Sequence, residues 1–234
     1  MDWTETEILK LRPILDKIWS DLKPIEGKSI LVLCCGSGEV AFWLAGKMDT
    51  YGRILGLDLR KDLLQKAEDG AKERGIKHLV EFGIAGKHSI PLPDKDLDVL
   101  VSEFVVYPTP EPTEIGQREM ARVLKDGGKI ILTDVISVKP ISAEIKDKLK
   151  SIGLNYVCEA THDDFRSWME DAGFESIVIQ DLTPLVKEIW KQRQEGDLSS
   201  ERRKMYGVLM ESEQCGLGKV IFYIYVRAEK PRKS

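Results

Sequence analysis

Between Lys28 and Asp134 the chain alternates short apolar runs with stretches of helical periodicity, and this rhythm restricts its possible folds more than any other feature. Ser29–Cys34 is a continuous apolar run, as expected of a strand buried on both faces of a parallel sheet. Glu39–Lys47 follows with helical spacing, Arg53–Leu57 is the next strand, and Asp62–Arg74 places Leu63, Leu64 and Ala67 on one helical side. Leu79–Ile84 and Leu97–Ser102 are the third and fourth strands. Thr113–Leu124 reads as a helix, and Asp126-Gly127-Gly128 breaks the chain before a fifth strand, Lys129–Thr133. Parallel neighbours need crossover helices, so the pattern predicts an α/β fold with helices on both faces of a doubly wound sheet.

The rhythm changes after Asp134. Ile141–Ile152 and Asp163–Ala172 look helical, Phe174–Asp181 looks like a strand, and Val220–Arg227 is a final strand after Gly216-Leu217-Gly218. Ahead of the sheet, Ile8, Leu11, Leu15, Ile18 and Trp19 predict a helix over Glu5–Leu22, which either packs on the domain or lids a cleft. The chain reads as one domain over 1–234. Residues 1–27 form the helical lid, 28–134 the ligand-binding core, 135–215 a substrate-side insert with the sixth strand, and 216–228 the last strand.

Composition narrows the function classes. A chain of 234 residues can bury most of its surface without a staple. Its four cysteines show no metal or redox spacing, so a reduced, cytoplasmic protein with no bound metal is expected. A net charge of −4 gives no general attraction to nucleic acid. No apolar run reaches the ~18–20 residues of a membrane span, and Met1-Asp2-Trp3-Thr4-Glu5 is unlike a signal peptide.

The end of the first strand carries the chemistry. Cys34-Cys35-Gly36-Ser37-Gly38 lies directly before a helix, where glycine permits both a sharp turn and close approach of backbone to a ligand. The helix start offers N–H groups to an anion. Asp58 ends the second strand, and its carboxylate can accept hydrogen bonds from both hydroxyls of a ribose. Gly36-Ser37-Gly38-Glu39-Val40-Ala41 also fits the G-x-G-x-x-A dinucleotide pattern with an acid at the expected distance. From these residues alone a nicotinamide-dependent oxidoreductase competes with any other nucleoside-binding reading.

Four blocks in order carry a resemblance. They are Ile30–Gly38, then Ile54-Leu55-Gly56-Leu57-Asp58-Leu59, then Ile90-Pro91-Leu92-Pro93-Asp94 with Leu97–Ser102, and last Arg122-Val123-Leu124-Lys125-Asp126-Gly127-Gly128-Lys129. Together they resemble the class I S-adenosylmethionine-dependent methyltransferases, especially the methyltransferase type 11 branch with the ubiquinone and menaquinone C-methyltransferases. Dehydrogenases do not share the last block.

The resemblance implies a Rossmann-like seven-stranded sheet of order 3-2-1-4-5-7-6 with strand seven antiparallel. It implies S-adenosylmethionine as cofactor and a small-molecule methyl acceptor as partner, with a homodimer left open. Cys35, Gly36, Ser37, Gly38, Asp58, Leu59, Ala85, Gly86, Glu103 and Phe104 would line the cofactor. Three positions depart from the family pattern: Val32 stands where an acid is usual, Cys34 where the first glycine is usual, and Gly86 where an acid often meets the adenine amino group. A binder that has lost its acceptor site therefore stays among the readings.

Methyl transfer from a sulfonium is an in-line displacement, so the protein must align the nucleophile and exclude water. A base is required only when the nucleophile arrives protonated, and the family has no fixed catalytic residue. Tyr107 and Asp134, at the ends of the fourth and fifth strands, are the catalytic candidates. His78, His88 and His162 read as surface or helix-start residues, and Trp190 shares an apolar helical face with Val186 and Ile189. Arsenite methylation would need a cysteine set whose spacing Cys158 and Cys215 do not match.

Overall fold

A computed structural model describes residues 12–48, 51–103, 115–151, 157–194, 203–204, 206–212 and 216–232. Its framework is one mixed sheet. In chain order the elements are α1 (Arg12–Leu22), β1 (Ser29–Leu33), α2 (Glu39–Ala45), β2 (Arg53–Asp58), α3 (Lys61–Glu73), β3 (Val80–Ile84) and β4 (Leu97–Glu103). There follow α4 (Gln117–Val123), β5 (Leu124–Ser137), α5 (Ala143–Lys150), β6 (Cys158–Glu159), α6 (His162–Asp171), β7 (Glu175–Asp181), α7 (Thr183–Gln194), a π turn at Gly207–Glu211, and β8 (Ile221–Glu229).

The strands lie in the order β3-β2-β1-β4-β5-β8-β7, with β6 paired to β5 off this path. The first five are parallel, and β8 inserts antiparallel between β5 and β7. This is the expected order, the two-residue β6 being an addition that shifts the last two strand numbers. It pairs with Ile136 and Ser137, beyond the last β4 pair at Glu103 and Thr133.

The alternation of side chains along each strand produces two apolar layers. Ile30, Val32, Val99, Val101 and Ile131 face one layer with α1, α2 and α7, whereas Leu31, Leu33, Leu100, Ile130 and Leu132 face the other with α4 and α6. Both faces of β1 are thus buried, which is why its sequence is apolar throughout. Trp190 is 1% exposed and belongs to the first layer with Val186 and Ile189, so it is core. Capping starts α6: Thr161 Oγ1 accepts from Asp164 N, and the Asp164 carboxylate accepts from Thr161 N.

β5 is longer than its expected span of Lys129–Thr133. Gly127 N donates to Lys230 O and Lys230 N to Gly128 O, both at 2.8 Å, so the Asp126-Gly127-Gly128 turn finds partners in the end of the chain. At its other end, the ladder with β8 carries β5 on to Ser137.

The described part of the N-terminal helix is a core element. Ile14, Leu15, Ile18 and Leu22 are buried in the first layer, and Trp19 meets Trp43 of α2 edge-on at 6.4 Å. Of the segment 1–27 expected as a lid, residues 1–11 lie outside the described residues. No described helix is long and apolar enough to cross a membrane.

Tyr225 ties α1 to β8. Its ring lies under Lys17 Nζ at 4.3 Å, and its hydroxyl donates to Asp21 Oδ2 at 2.7 Å. Tyr225→Phe keeps the ring and deletes that bond, and Asp21 retains Lys17 as a partner. Urea titration is expected to show a loss of about 1 kcal/mol.

Candidate cofactor site

The carboxyl edge of β1 and β2 is built around one side chain. Asp58 is 6% exposed, its Oδ2 accepts from Gly36 N and its Oδ1 from Arg60 N, each at 2.9 Å. An ionised carboxylate has about four lone-pair sites, so two remain for a ligand's hydroxyl groups. Its carbonyl accepts from Ala85 N at 2.9 Å, which adds the chain after β3 to the same anchor.

The loop after β1 turns through residues with positive φ. Cys34 has φ 59, Gly36 φ 56 and Gly38 φ 94. Cys35 N donates to Leu57 O, Gly38 N to Cys35 O, and Phe42 N to Gly38 O, which opens α2. The two glycines do different work. Among the described residues, a Cβ on Gly36 would meet nothing within 4 Å, so this peptide borders open space among them. A Cβ on Gly38 would come within 2.8 Å of Phe42 and 3.0 Å of Phe82, so this glycine lets α2 approach the sheet.

At the start of α2, Ser37 Oγ donates to Glu39 Oε1 at 2.6 Å, and the Glu39 carboxylate lies in the first turn. A pyrophosphate would meet like charge there.

The remaining candidates spread along the same edge. Leu59 follows Asp58 and is half-buried, and Ala85 is buried. Gly86 begins a turn so tight that a Cβ would lie 2.6 Å from Ser89 Oγ and 2.7 Å from Ser89 O. A side chain at this position has no room, and the absence of an acid there follows from the turn. Val32 is buried between Gly56 and Val101 in the ladder, so its site in the strand is apolar. Cys35 is buried, and burial together with the Asp58 charge pushes its thiol well above the ordinary range. It is a packing residue with its Sγ near Gly56.

Glu103 closes β4 in register with Thr133. Phe104 and Tyr107 lie outside the described residues. Asp134 stands in the interval of β5 between the last pair with β4 and the first with β6. Its cross-strand neighbour is Ile224, and Leu132 and Ile136 share its face. The carboxyl is mostly enclosed, and the one hydrogen bond it accepts among the described residues comes from Val135 N at 2.7 Å. Burial raises its pKa to about 6.

His162 opens α6 with its ring edge-on to Phe222. No group of three or more metal-ligating side chains occurs among the described residues. Two contributors escaped the sequence reading. Ile84, paired with Asp58, is 44% exposed at the strand end, an apolar surface beside that carboxylate's strand position. Arg60 contributes a backbone N–H, and no side-chain pattern reports that.

A family model described as a methyltransferase domain matches residues 25–193. The chain belongs to this methyltransferase family. Among curated relatives, the chain is 26% identical to an arsenite methyltransferase of Halobacterium salinarum over 65% of this chain and 39% of that one. It is 32% identical to a 2-phytyl-1,4-naphtoquinone methyltransferase of Synechococcus elongatus over 50% of this chain and 49% of that one. It therefore spans about half or less of the length of these relatives.

The fold is also that of Haemonchus contortus phosphoethanolamine N-methyltransferase 2 in complex with S-adenosyl-L-methionine. The TM-score is 0.74 at 17% identity, over 94% of this chain and 53% of that one. S-adenosylmethionine is the family's cofactor. The antiparallel β8 separates this chain from the dinucleotide-binding fold, whose six strands run in the order 3-2-1-4-5-6.

A left-handed conformation costs a residue with a Cβ roughly 1–2 kcal/mol, which glycine avoids. Cys34→Gly is expected to raise stability by about 0.5–1 kcal/mol after the added freedom of the unfolded glycine is subtracted. Gly38→Ala should lower it by more, through both φ 94 and the contacts with Phe42 and Phe82. Thermal and urea unfolding of the two variants would show shifts of opposite sign.

Proposed function

We propose that this protein transfers a methyl group from S-adenosylmethionine to a small-molecule acceptor. The observation that carries the proposal is the Asp58 carboxylate, which anchors Gly36, Arg60 and Ala85 and keeps lone pairs for ribose hydroxyls. The open space at Gly36 suits close approach of the cofactor's backbone-binding groups. Leu59, Ile84 and Ala85 supply apolar surface for the adenine. When bound, S-adenosylmethionine supplies an electrophilic methyl group on a positive sulfur.

Asp134 is the candidate base. An aspartate among apolar neighbours that has, among the described residues, one backbone N–H for support costs stability, and such groups concentrate at functional sites. With a pKa of about 6 it is largely ionised at neutral pH and is able to take a proton from an acceptor's O–H or N–H as that atom attacks the methyl carbon. This supports an enzyme over an idle binder.

The net charge of −4 disfavours nucleic acid as acceptor. Arsenite, the substrate named for the haloarchaeal relative, finds less support, because the Cys35 thiol is buried and held protonated. The cysteines of the sequence show no metal or redox spacing, which suits a reducing setting such as the cytoplasm.

Isothermal titration should detect binding of S-adenosylhomocysteine and none of NADH, and the reverse outcome would overturn the proposal. Asp58→Ala should weaken S-adenosylhomocysteine by about 1.5–3 kcal/mol, the range for hydrogen bonds to a charged group.

Asp134 makes a separate pH prediction. Its folded pKa of about 6 lies above the unfolded value of about 3.9, so the favourable contribution is complete below the lower value and is lost as pH rises through the upper one. Urea midpoints of Asp134→Asn should lack this decline between about pH 4 and 6 and exceed wild type at neutral pH. Turnover of a hydroxyl acceptor should rise through about pH 6 in the wild type and fall about a hundredfold in Asp134→Asn.

A further inference from the structure

The segment from Ala85 to Asp96 joins β3 to β4 without secondary structure of its own, and it borders the proposed adenosine site at its first residues. Its far half is held by one guanidinium. Arg122 Nε donates to Glu119 Oε2 at 2.8 Å, and Nη2 donates to Glu119 Oε1 at 2.8 Å and to Ile90 O at 3.0 Å. Nη1 donates to Leu92 O at 2.9 Å and to Asp94 Oδ1 at 2.7 Å. All five donors of an arginine are thereby used. Glu119 Oε1 also accepts from Ile90 N at 2.8 Å, so the pair grips both polar groups of the Ile90 backbone. These contacts hold the Arg122 guanidinium firmly charged and the Glu119 carboxyl below its usual range.

The near half is held by the site itself. Ala85 N donates to Asp58 O, and the Gly86 turn closes on Ser89. Between the two anchors, Ile90 and Ala85 are buried in one apolar cluster with Leu33 and Leu57, the residues below the glycine loop and Asp58. The clamp and the site therefore share a packed connection only a few residues long.

We infer that Glu119 and Arg122 are positioning residues for the adenosine half of the cofactor site, acting through the Ala85–Ile90 segment. The inference rests on the S-adenosylmethionine reading above. Lysine cannot replace Arg122, because three donors on one nitrogen cannot span a bidentate carboxylate and two separate carbonyls.

The test compares binding of S-adenosylhomocysteine and of 5′-methylthioadenosine, which lacks the amino-acid half. Wild type, Arg122→Lys, Glu119→Gln and the remote core variant Val226→Ala are titrated well below each variant's Tm, so that all are folded. Glu119→Gln keeps the size of the side chain and serves if Arg122→Lys does not fold. Both clamp variants should weaken both ligands by one common factor of about ten, near the low end of what losing an outer support costs a binding site. Val226→Ala should lower Tm and leave both affinities as they were. Unchanged affinities in the clamp variants despite a lower Tm would mean a purely structural clamp and overturn the inference. So would weakening of S-adenosylhomocysteine alone, which would put the effect at the amino-acid half. Wild type binding neither ligand would overturn the cofactor reading first and this inference with it.

Discussion

Everything at the carboxyl edge depends on the Asp58 carboxylate reaching two backbone N–H groups from different segments. Gly36 belongs to the turn after β1, and Arg60 to the start of α3. A carboxylate that is 6% exposed needs such partners, since desolvating it without them would cost several kcal/mol. The same bonds fix the turn at the angle that leaves Gly36 facing open space. Support of the charge and shaping of the site are one arrangement.

Two other features of this edge run against stability. Cys34 takes a left-handed conformation that glycine would adopt without strain. Asp134 holds its carboxyl among Leu132, Ile136 and Ile224 with one backbone donor. The strand ladders over-determine both positions, because β1 is paired on each side and β5 is locked to β8 through nine residue pairs. A rigid sheet can hold unfavourable groups at its rim, where chemistry uses them.

The Arg122 block shows how a sequence pattern and its physical role come apart. Its letters marked the family, yet nothing in the string Arg122–Lys129 says that the guanidinium reaches back about thirty positions to Ile90 and Leu92. At Gly86, where the family pattern often has an acid, a Cβ would lie 2.7 Å from Ser89 O. Likewise, the glycine pattern alone fits a dehydrogenase equally well, whereas the Arg122–Lys129 block and the antiparallel β8 between β5 and β7 do not.

By itself the sequence determined the α/β class, the first four strands and most of the helices between them, the glycine turn and its acid, and the burial of Trp190. These are local or periodic signals: apolar alternation marks burial, glycine marks a turn, and an acid at a strand end marks the edge. Only the tertiary structure decided that Gly38 packs against Phe42 and Phe82 while Gly36 has no such described neighbour, and that Ser37 binds the Glu39 carboxylate. It alone set β5 running on to Ser137, gave Asp134 its apolar surroundings, and brought Arg122 onto a distant loop. Each of these depends on which distant groups become neighbours, and one chain's residue order does not encode that pairing in any local pattern.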